Sequence, residues 1–194
     1  RKAGLQAALE VKAAIEESGR QAVFFNVNAA DASRREEVVQ ALLQEHASVE
    51  VLVHSLAFGS LKPFVGEDAI TEQQMDMTLA VMAHSLVYWT QDLVRAGLLV
   101  EGSRVFAMTS SGSTRAIASY GAISAAKSAL ESHVRQLAYE LAKQRVAVNA
   151  LRAGVTDTAA LRKIPGYERL LEGAARRNPS GRLTTPRDVA AALV

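Results

Sequence analysis

Apolar residues at Leu5, Ala8, Leu9, Val11, Ala14 and Ile15 recur at helical spacing through 5–18, and Gly19 stands where a helix C-terminal cap belongs. A β-branched and aromatic run at 21–27 reads as a strand. Asn28-Ala29-Ala30-Asp31 breaks that run and offers a cap for a helix over 33–46. A second apolar strand covers 49–56. Residues 57–66, with two glycines and Pro63, read as a loop, and 71–99 as one long helix with Gly97 near its end. A third strand at 103–109, a Ser/Gly-rich loop at 110–118, an amphipathic helix to 142 and a fourth strand at 145–151 complete the pattern.

Strands that alternate with helices, each strand a nearly continuous apolar run, predict an α/β fold with a parallel sheet covered on both faces. In open sheets of this kind, ligands bind beyond the C-terminal ends of the strands. Four stretches occupy such positions: Asn28-Ala29, His54-Ser55-Leu56-Ala57-Phe58, Met108-Thr109-Ser110-Ser111-Gly112 and Ala153-Gly154-Val155-Thr156-Asp157-Thr158. No Gly-x-Gly-x-x-Gly or Gly-x-x-x-x-Gly-Lys phosphate cradle accompanies them.

Composition narrows the classes further. The 194 residues carry a formal charge of +2 with both signs interspersed, so no polybasic tract points to nucleic acid or a membrane surface. The absence of cysteine removes disulfide, thiolate and cysteine-metal chemistry and fits a reducing, cytoplasmic setting. There is neither a run of about 18 apolar residues nor a secretory leader. His46, His54, His84 and His133 lack ligand spacing, so no metal site is expected. The chain opens inside a helical pattern without Met and stops at Val194 in an apolar segment, so the expectation is a single domain truncated at both ends.

The candidate chemistry lies in Ser119-Tyr120-Gly121-Ala122-Ile123-Ser124-Ala125-Ala126-Lys127. At about 100° per residue, seven positions bring a helix almost full circle twice and put Tyr120 and Lys127 on one face. An ammonium beside a phenol favours negative charge on the phenol oxygen, making it a better donor to a carbonyl that gains charge. Small residues between the two leave space for a flat ligand.

In their order along the chain, these residues resemble the short-chain dehydrogenase/reductases, and within them the enoyl-acyl-carrier-protein reductases. The superfamily's usual spacing is Tyr-x-x-x-Lys, whereas here Ile123 stands four before Lys127 and Tyr120 seven before, the enoyl reductase spacing. Thr114-Arg115-Ala116-Ile117-Ala118-Ser119-Tyr120 resembles that branch's loop, and Val53-His54-Ser55-Leu56-Ala57-Phe58 replaces the usual Asn-Asn-Ala-Gly. Val148-Asn149-Ala150-Leu151-Arg152-Ala153-Gly154 resembles the strand leading to the nicotinamide. Asn178-Pro179-Ser180-Gly181-Arg182-Leu183 and Thr185-Pro186-Arg187-Asp188-Val189-Ala190 resemble the segment before the last strand. Within the branch, the chain is most similar to the NADPH-preferring variant.

The resemblance implies a Rossmann-like, doubly wound sheet of order 3-2-1-4-5-6-7, incomplete here because strands 1, 2 and 7 are missing. It also implies roughly 30 to 50 further residues before Arg1 for the missing βαβ unit. Implied roles are Tyr120 donating to a thioester carbonyl, Lys127 binding the nicotinamide ribose, and Ser110 hydrogen-bonding substrate or merely its own loop. NADPH or NADH would lie against Asn28, Ala29, Ser55, Leu56, Ala57, Met108, Thr109, Lys127, Gly154, Thr156 and Thr158, with Arg1 and Lys2 near a 2′-phosphate. His54 reads as a packed or cofactor-adjacent histidine. Residues 158–177, with Pro165-Gly166 as a hinge, form the expected lid over an acyl chain, and the basic residues Arg162, Lys163, Arg169, Arg176 and Arg177 face an acidic carrier or solvent. The apolar surplus around Tyr88, Trp89 and the helix after Tyr120 points to a homotetramer.

The implied activity is reduction of trans-2-enoyl thioesters of acyl-carrier protein or coenzyme A in fatty acid synthesis. A carbonyl or hydroxyl reductase and a non-catalytic cofactor-binding relative are the alternatives.

Overall fold

The computed structural model describes residues 2–45, 48–164 and 166–193, with side chains from Gln6 onward. Arg1, His46 and Pro165, named above, lie outside the described residues. Helix α1 (Lys2–Glu17) ends as its pattern requires: Gly19 adopts φ +76°, a conformation that costs glycine no side-chain clash. Helix α2 (Ala32–Gln44) is capped by the Asp31 carboxylate, which accepts from the backbone N–H groups of Ser33 and Arg34.

Three parallel strands, β1 (Val51–His54), β2 (Arg104–Thr109) and β3 (Ala147–Arg152), form a sheet in that order. Leu52 pairs with Val105, and Val105 with Val148, so these three share one face; His54 and Ala107 lie beyond them on the same side. That face packs under helices α4 (Ser85–Arg95) and α5 (Gly121–Leu141), where Val105, Ala107, Leu86, Ala126 and Leu130 have no exposed surface. On the opposite face Phe106 is buried, while Val51 and Val53 remain open.

The run at 21–27 forms no strand; Val23 and Phe24 are exposed, and no described segment offers them a ladder. Its apolar alternation supplies strand propensity only, and a strand needs a hydrogen-bonding neighbour. The predicted helix at 71–99 is also revised. Thr71 forms a capping box with Gln74, α3 (Glu72–Leu79) follows, and a π-helical stretch at Ala80–His84 interrupts the run before α4. The extra residue per turn shifts the register there. Ser85 then bonds His54 beneath it, and His84 Nδ1 comes 3.0 Å from His133 Nε2 on α5.

Helix α2 places Val39 in the core and docks on α4 with a buried ion pair as well. Arg35, 7% exposed, donates Nε to Asp92 at 2.7 Å and Nη1 to the Ala30 carbonyl at 2.9 Å, with its guanidinium over the Tyr88 ring. Trp89 Nε1 bonds the Ala29 carbonyl and fixes the turn preceding α2. Two further helices, α6 (Tyr167–Arg177) and α7 (Pro186–Ala191), follow the sheet. Among the described residues, no helix is long and apolar enough to cross a membrane.

Candidate active site

Lys127 points from α5 to the C-terminal ends of the strands, with 5% of its surface exposed. Its Nζ donates to the Met108 carbonyl at 2.6 Å, at the end of β2, and more weakly to the Leu56 carbonyl at 3.3 Å, just past β1. Burial disfavours the ammonium and brings its pKa down to about 8. Among the described residues, no carboxylate pairs with it. An ammonium has three protons to donate, and here two carbonyls compensate it only in part.

Tyr120 reaches the same strand end by a route that the helical spacing does not describe. Helix α5 begins only at Gly121; Tyr120 is its N-cap residue, at φ −100° and ψ 3°. The loop therefore positions it. Ser119, at φ +57°, turns the chain sharply just before it, in a region that costs a side chain about 1 kcal/mol. The Tyr120 ring lies against Gly112, where any Cβ would collide with the ring edge, and its hydroxyl is 3.5 Å from Ser110 Oγ.

Ser110 serves the loop and faces Tyr120 at once, since its Oγ also accepts from Gly112 N at 3.0 Å. The Ser124 hydroxyl donates to the Gly112 carbonyl. The structure thus brings Tyr120, Ser110, Met108 and Lys127 together around the end of one strand.

His54 is packed, 4% exposed. The Ser85 hydroxyl donates to the Val81 carbonyl, so it accepts from His54 Nε2, at 2.8 Å; this fixes the proton on Nε2 and leaves buried Nδ1 unpartnered. Burial, then the neighbouring Lys127 charge, lower its pKa to about 4. It is a neutral wall.

Glu131, one helical turn beyond Lys127, gave no signal in the sequence. Its Oε1 accepts from Thr109 Oγ1 at 2.7 Å, Ser113 Oγ at 2.8 Å and Arg152 Nη2 at 3.1 Å. Burial resists its ionisation, but these three donors outweigh that and hold its carboxyl below the usual range. Its partners are 18 to 22 residues away, beyond any local periodicity.

The remaining expected residues divide by their partners. The Asn28 side chain accepts from Ala30 N and builds a turn, and Ala29 is tied to Trp89. Ser55 and Ala57 are exposed beside Leu56 at the strand end. Gly154 packs against Thr184, leaving no room for a Cβ; Thr156 Oγ1 returns to the Gly154 carbonyl, and Thr158 Oγ1 accepts from Leu161 N. Lys2 opens α1. Within 158–177 the chain makes a 3-10 turn at Leu161–Lys163 and then α6, with Gly166 at φ +75° as its N-cap residue. Arg162 is held in a two-pronged pair with Asp157.

A cavity of about 640 Å³ opens beside Tyr120, between Phe64, Arg115, Ile117, Ser124 and Ser128. Its walls include Ser119 and Gly121 but neither Tyr120 nor Lys127, because Tyr120 turns inward to Gly112. No group of three or more potential metal ligands occurs among the described residues, although His84 and His133 meet.

One strand end of this parallel α/β sheet thus carries a buried lysine, a loop-held tyrosine and a hydroxyl. The chain belongs to the enoyl-(acyl carrier protein) reductase family, which it matches over residues 3–194. It is 32% identical over 155 residues to the NADH-dependent enoyl-acyl-carrier-protein reductase of Aquifex aeolicus (strain VF5), covering 78% of this chain and 56% of that protein. A crystal structure of an enoyl-acyl-carrier-protein reductase (NADH) from Aquifex aeolicus VF5 superposes with a TM-score of 0.74 at 27% identity, over 84% of this chain and 64% of that one. The Bacillus cereus enoyl-acyl carrier protein reductase, solved with NADP+ and indole naphthyridinone, shares the fold, with a TM-score of 0.84 at 22% identity over 94% and 71% of the respective chains. This chain spans little more than half the length of the Aquifex protein.

Proposed function

We propose that this protein reduces the double bond of trans-2-enoyl thioesters, on acyl-carrier protein or coenzyme A, as a cytoplasmic homotetramer of fatty acid synthesis. The observation that carries the proposal is the convergence of Tyr120 and Lys127 on the end of β2, one through Ser110 and the other through the Met108 carbonyl. Family membership and relatives named for NADH support the reaction class.

NADH or NADPH, when bound, supplies the hydride. The donor set fits such a dinucleotide: Lys127 is a buried ammonium with no carboxylate partner among the described residues, suited to ribose hydroxyls, and the adjoining strand ends expose Ser55 and Ala57. Met108, Thr109, Gly154, Thr156 and Thr158 complete the proposed surface, with Asn28 and Ala29 at its edge. Reduction at the β-carbon of the enoyl group would gather negative charge on the thioester oxygen. The Tyr120 hydroxyl, steadied by the Gly112 contact, would donate to that oxygen and lower the barrier by stabilising the charge that develops there. Lys127 supplies positive potential and Ser110 steadies the phenol. Residues 158–177 act as the lid; of the apolar surplus expected at subunit contacts, Tyr88 on α4 is exposed, whereas Ala126, Leu130, Val134, Leu137 and Leu141 of α5 are buried within the chain's own core.

Crotonyl and acetoacetyl thioesters, each with NADH and with NADPH, test this reading. Turnover of crotonyl thioester, lowered about 10²- to 10³-fold by Tyr120→Phe with dinucleotide binding retained, is expected. Turnover of only the keto substrate selects a carbonyl reductase; dinucleotide binding without turnover of either substrate selects a non-catalytic relative.

A further inference from the structure

We propose that Glu131 is a positioning residue, whose carboxylate sets the placement of the Tyr120 loop relative to the end of β3. This rests on the catalytic reading of Tyr120 given above. One oxygen gathers donors from three separate elements: Thr109 at the end of β2, Ser113 at the far end of the loop beneath Tyr120, and Arg152 at the end of β3.

Thr109 and Ser113 bracket Ser110 and Gly112, the two residues that touch the phenol. Ser113 Oγ has a single proton, which the Glu131 carboxylate takes as the stronger acceptor; the Ser110 carbonyl lies 2.9 Å and Arg152 Nη2 3.4 Å from the same oxygen. Glu131 therefore grips both ends of the platform on which the Tyr120 ring rests. Its own backbone is rigid, in the middle of a 21-residue helix that also carries Lys127. Through Arg152 the same oxygen reaches the strand that leads into Ala153 and Gly154. One carboxylate thus ties the Tyr120 side of the proposed site to the side expected to hold the nicotinamide.

The test compares Glu131→Ala, Glu131→Gln and Ser113→Ala in the purified protein. Glu131→Ala is expected to lower kcat by roughly 10- to 100-fold, the scale of a misplacement of about 1 Å, while KM for the dinucleotide changes less than about threefold. The Gln amide oxygen still accepts from Thr109 and Ser113, so Glu131→Gln recovers most of the loss. Ser113→Ala, which leaves the carboxylate in place, is expected to lower kcat by a few fold. Amide hydrogen exchange at Gly112 and Thr114 should quicken about tenfold in Glu131→Ala while exchange in the core of α5 is unchanged.

Unchanged kcat and unchanged loop exchange in Glu131→Ala overturn the inference, as does a Gln variant no better than Ala. If Glu131→Ala does not fold, wild-type turnover and loop exchange in both Glu131→Gln and Ser113→Ala overturn it. A wild-type protein without enoyl turnover refutes the proposed reaction instead, and the exchange comparison then decides the clamp on its own.

Discussion

Substituting Gly112 by alanine perturbs the Tyr120 ring and little else. The added Cβ would stand 2.5 Å from Tyr120 Cε1, 2.9 Å from Cδ1 and 3.1 Å from Ser110 Oγ. Carbon atoms in contact prefer about 3.5 to 4.0 Å, so ring and loop must separate by about 1 Å. The ring is only 9% exposed. Gly112 is not among the positive-φ glycines, so alanine adds no backbone strain and the effect is purely steric. Overpacking of this kind costs about 1 to 3 kcal/mol of stability, and a 1 Å displacement of the proposed hydrogen-bond donor is expected to cost about 10²-fold in rate. Steady-state turnover of crotonyl thioester and a urea melt read the two effects separately. If the loss acts through the phenol, Gly112→Ala introduced into Tyr120→Phe should lower the residual rate by less than about threefold. Wild-type kcat in the single variant would refute the placement of Tyr120 by this loop.

Other predictions address the charges and the frame. Lys127 titrates near 8 in the folded chain, against an ordinary value of 10.5, so between those values the unfolded chain binds more protons and stability rises with pH. Urea melts from pH 8 to 10.5 should show wild type gaining up to about 3 kcal/mol relative to Lys127→Met. Over the same window kcat/KM should fall as the ammonium is lost; the two trends run in opposite directions. Arg35→Met should cost about 2 to 3 kcal/mol, because Asp92 keeps only Arg95 and the Ala30 carbonyl loses its donor. Thr71→Ala removes the capping box of α3 and should cost about 1 kcal/mol with kcat unchanged.

How much of this was legible in the sequence depends on the range of the interaction. Asp31 and Gly19 act on backbone within a few residues, so the helix ends they cap could be read directly. The strands β1 to β3 announced themselves as apolar runs because their core face is buried. The run at 21–27 carries the same composition, but pairing is a property of two segments, and no described segment pairs with it. The π-helical stretch at Ala80–His84 escaped because it answers to His54 and His133, 31 and 49 residues from their partners Ser85 and His84. For the site, resemblance located Tyr120 and Lys127, while the helical-face reason given for their proximity failed at Tyr120, which a strained Ser119 sets outside the helix. Glu131 looked like any polar residue on an amphipathic helix. Only the folded chain assembles its three donors.

Turnover with dinucleotide carrying deuterium at the transferable position of the nicotinamide, followed by mass spectrometry and NMR of the product, shows which carbon receives the hydride and whether Tyr120 governs the step. With crotonyl thioester the account predicts deuterium on the β-carbon of a saturated product, formed at a rate that Tyr120→Phe lowers about 10²-fold or more. Deuterium on a carbonyl-derived carbon, or β-labelled product at an undiminished rate in Tyr120→Phe, would contradict it.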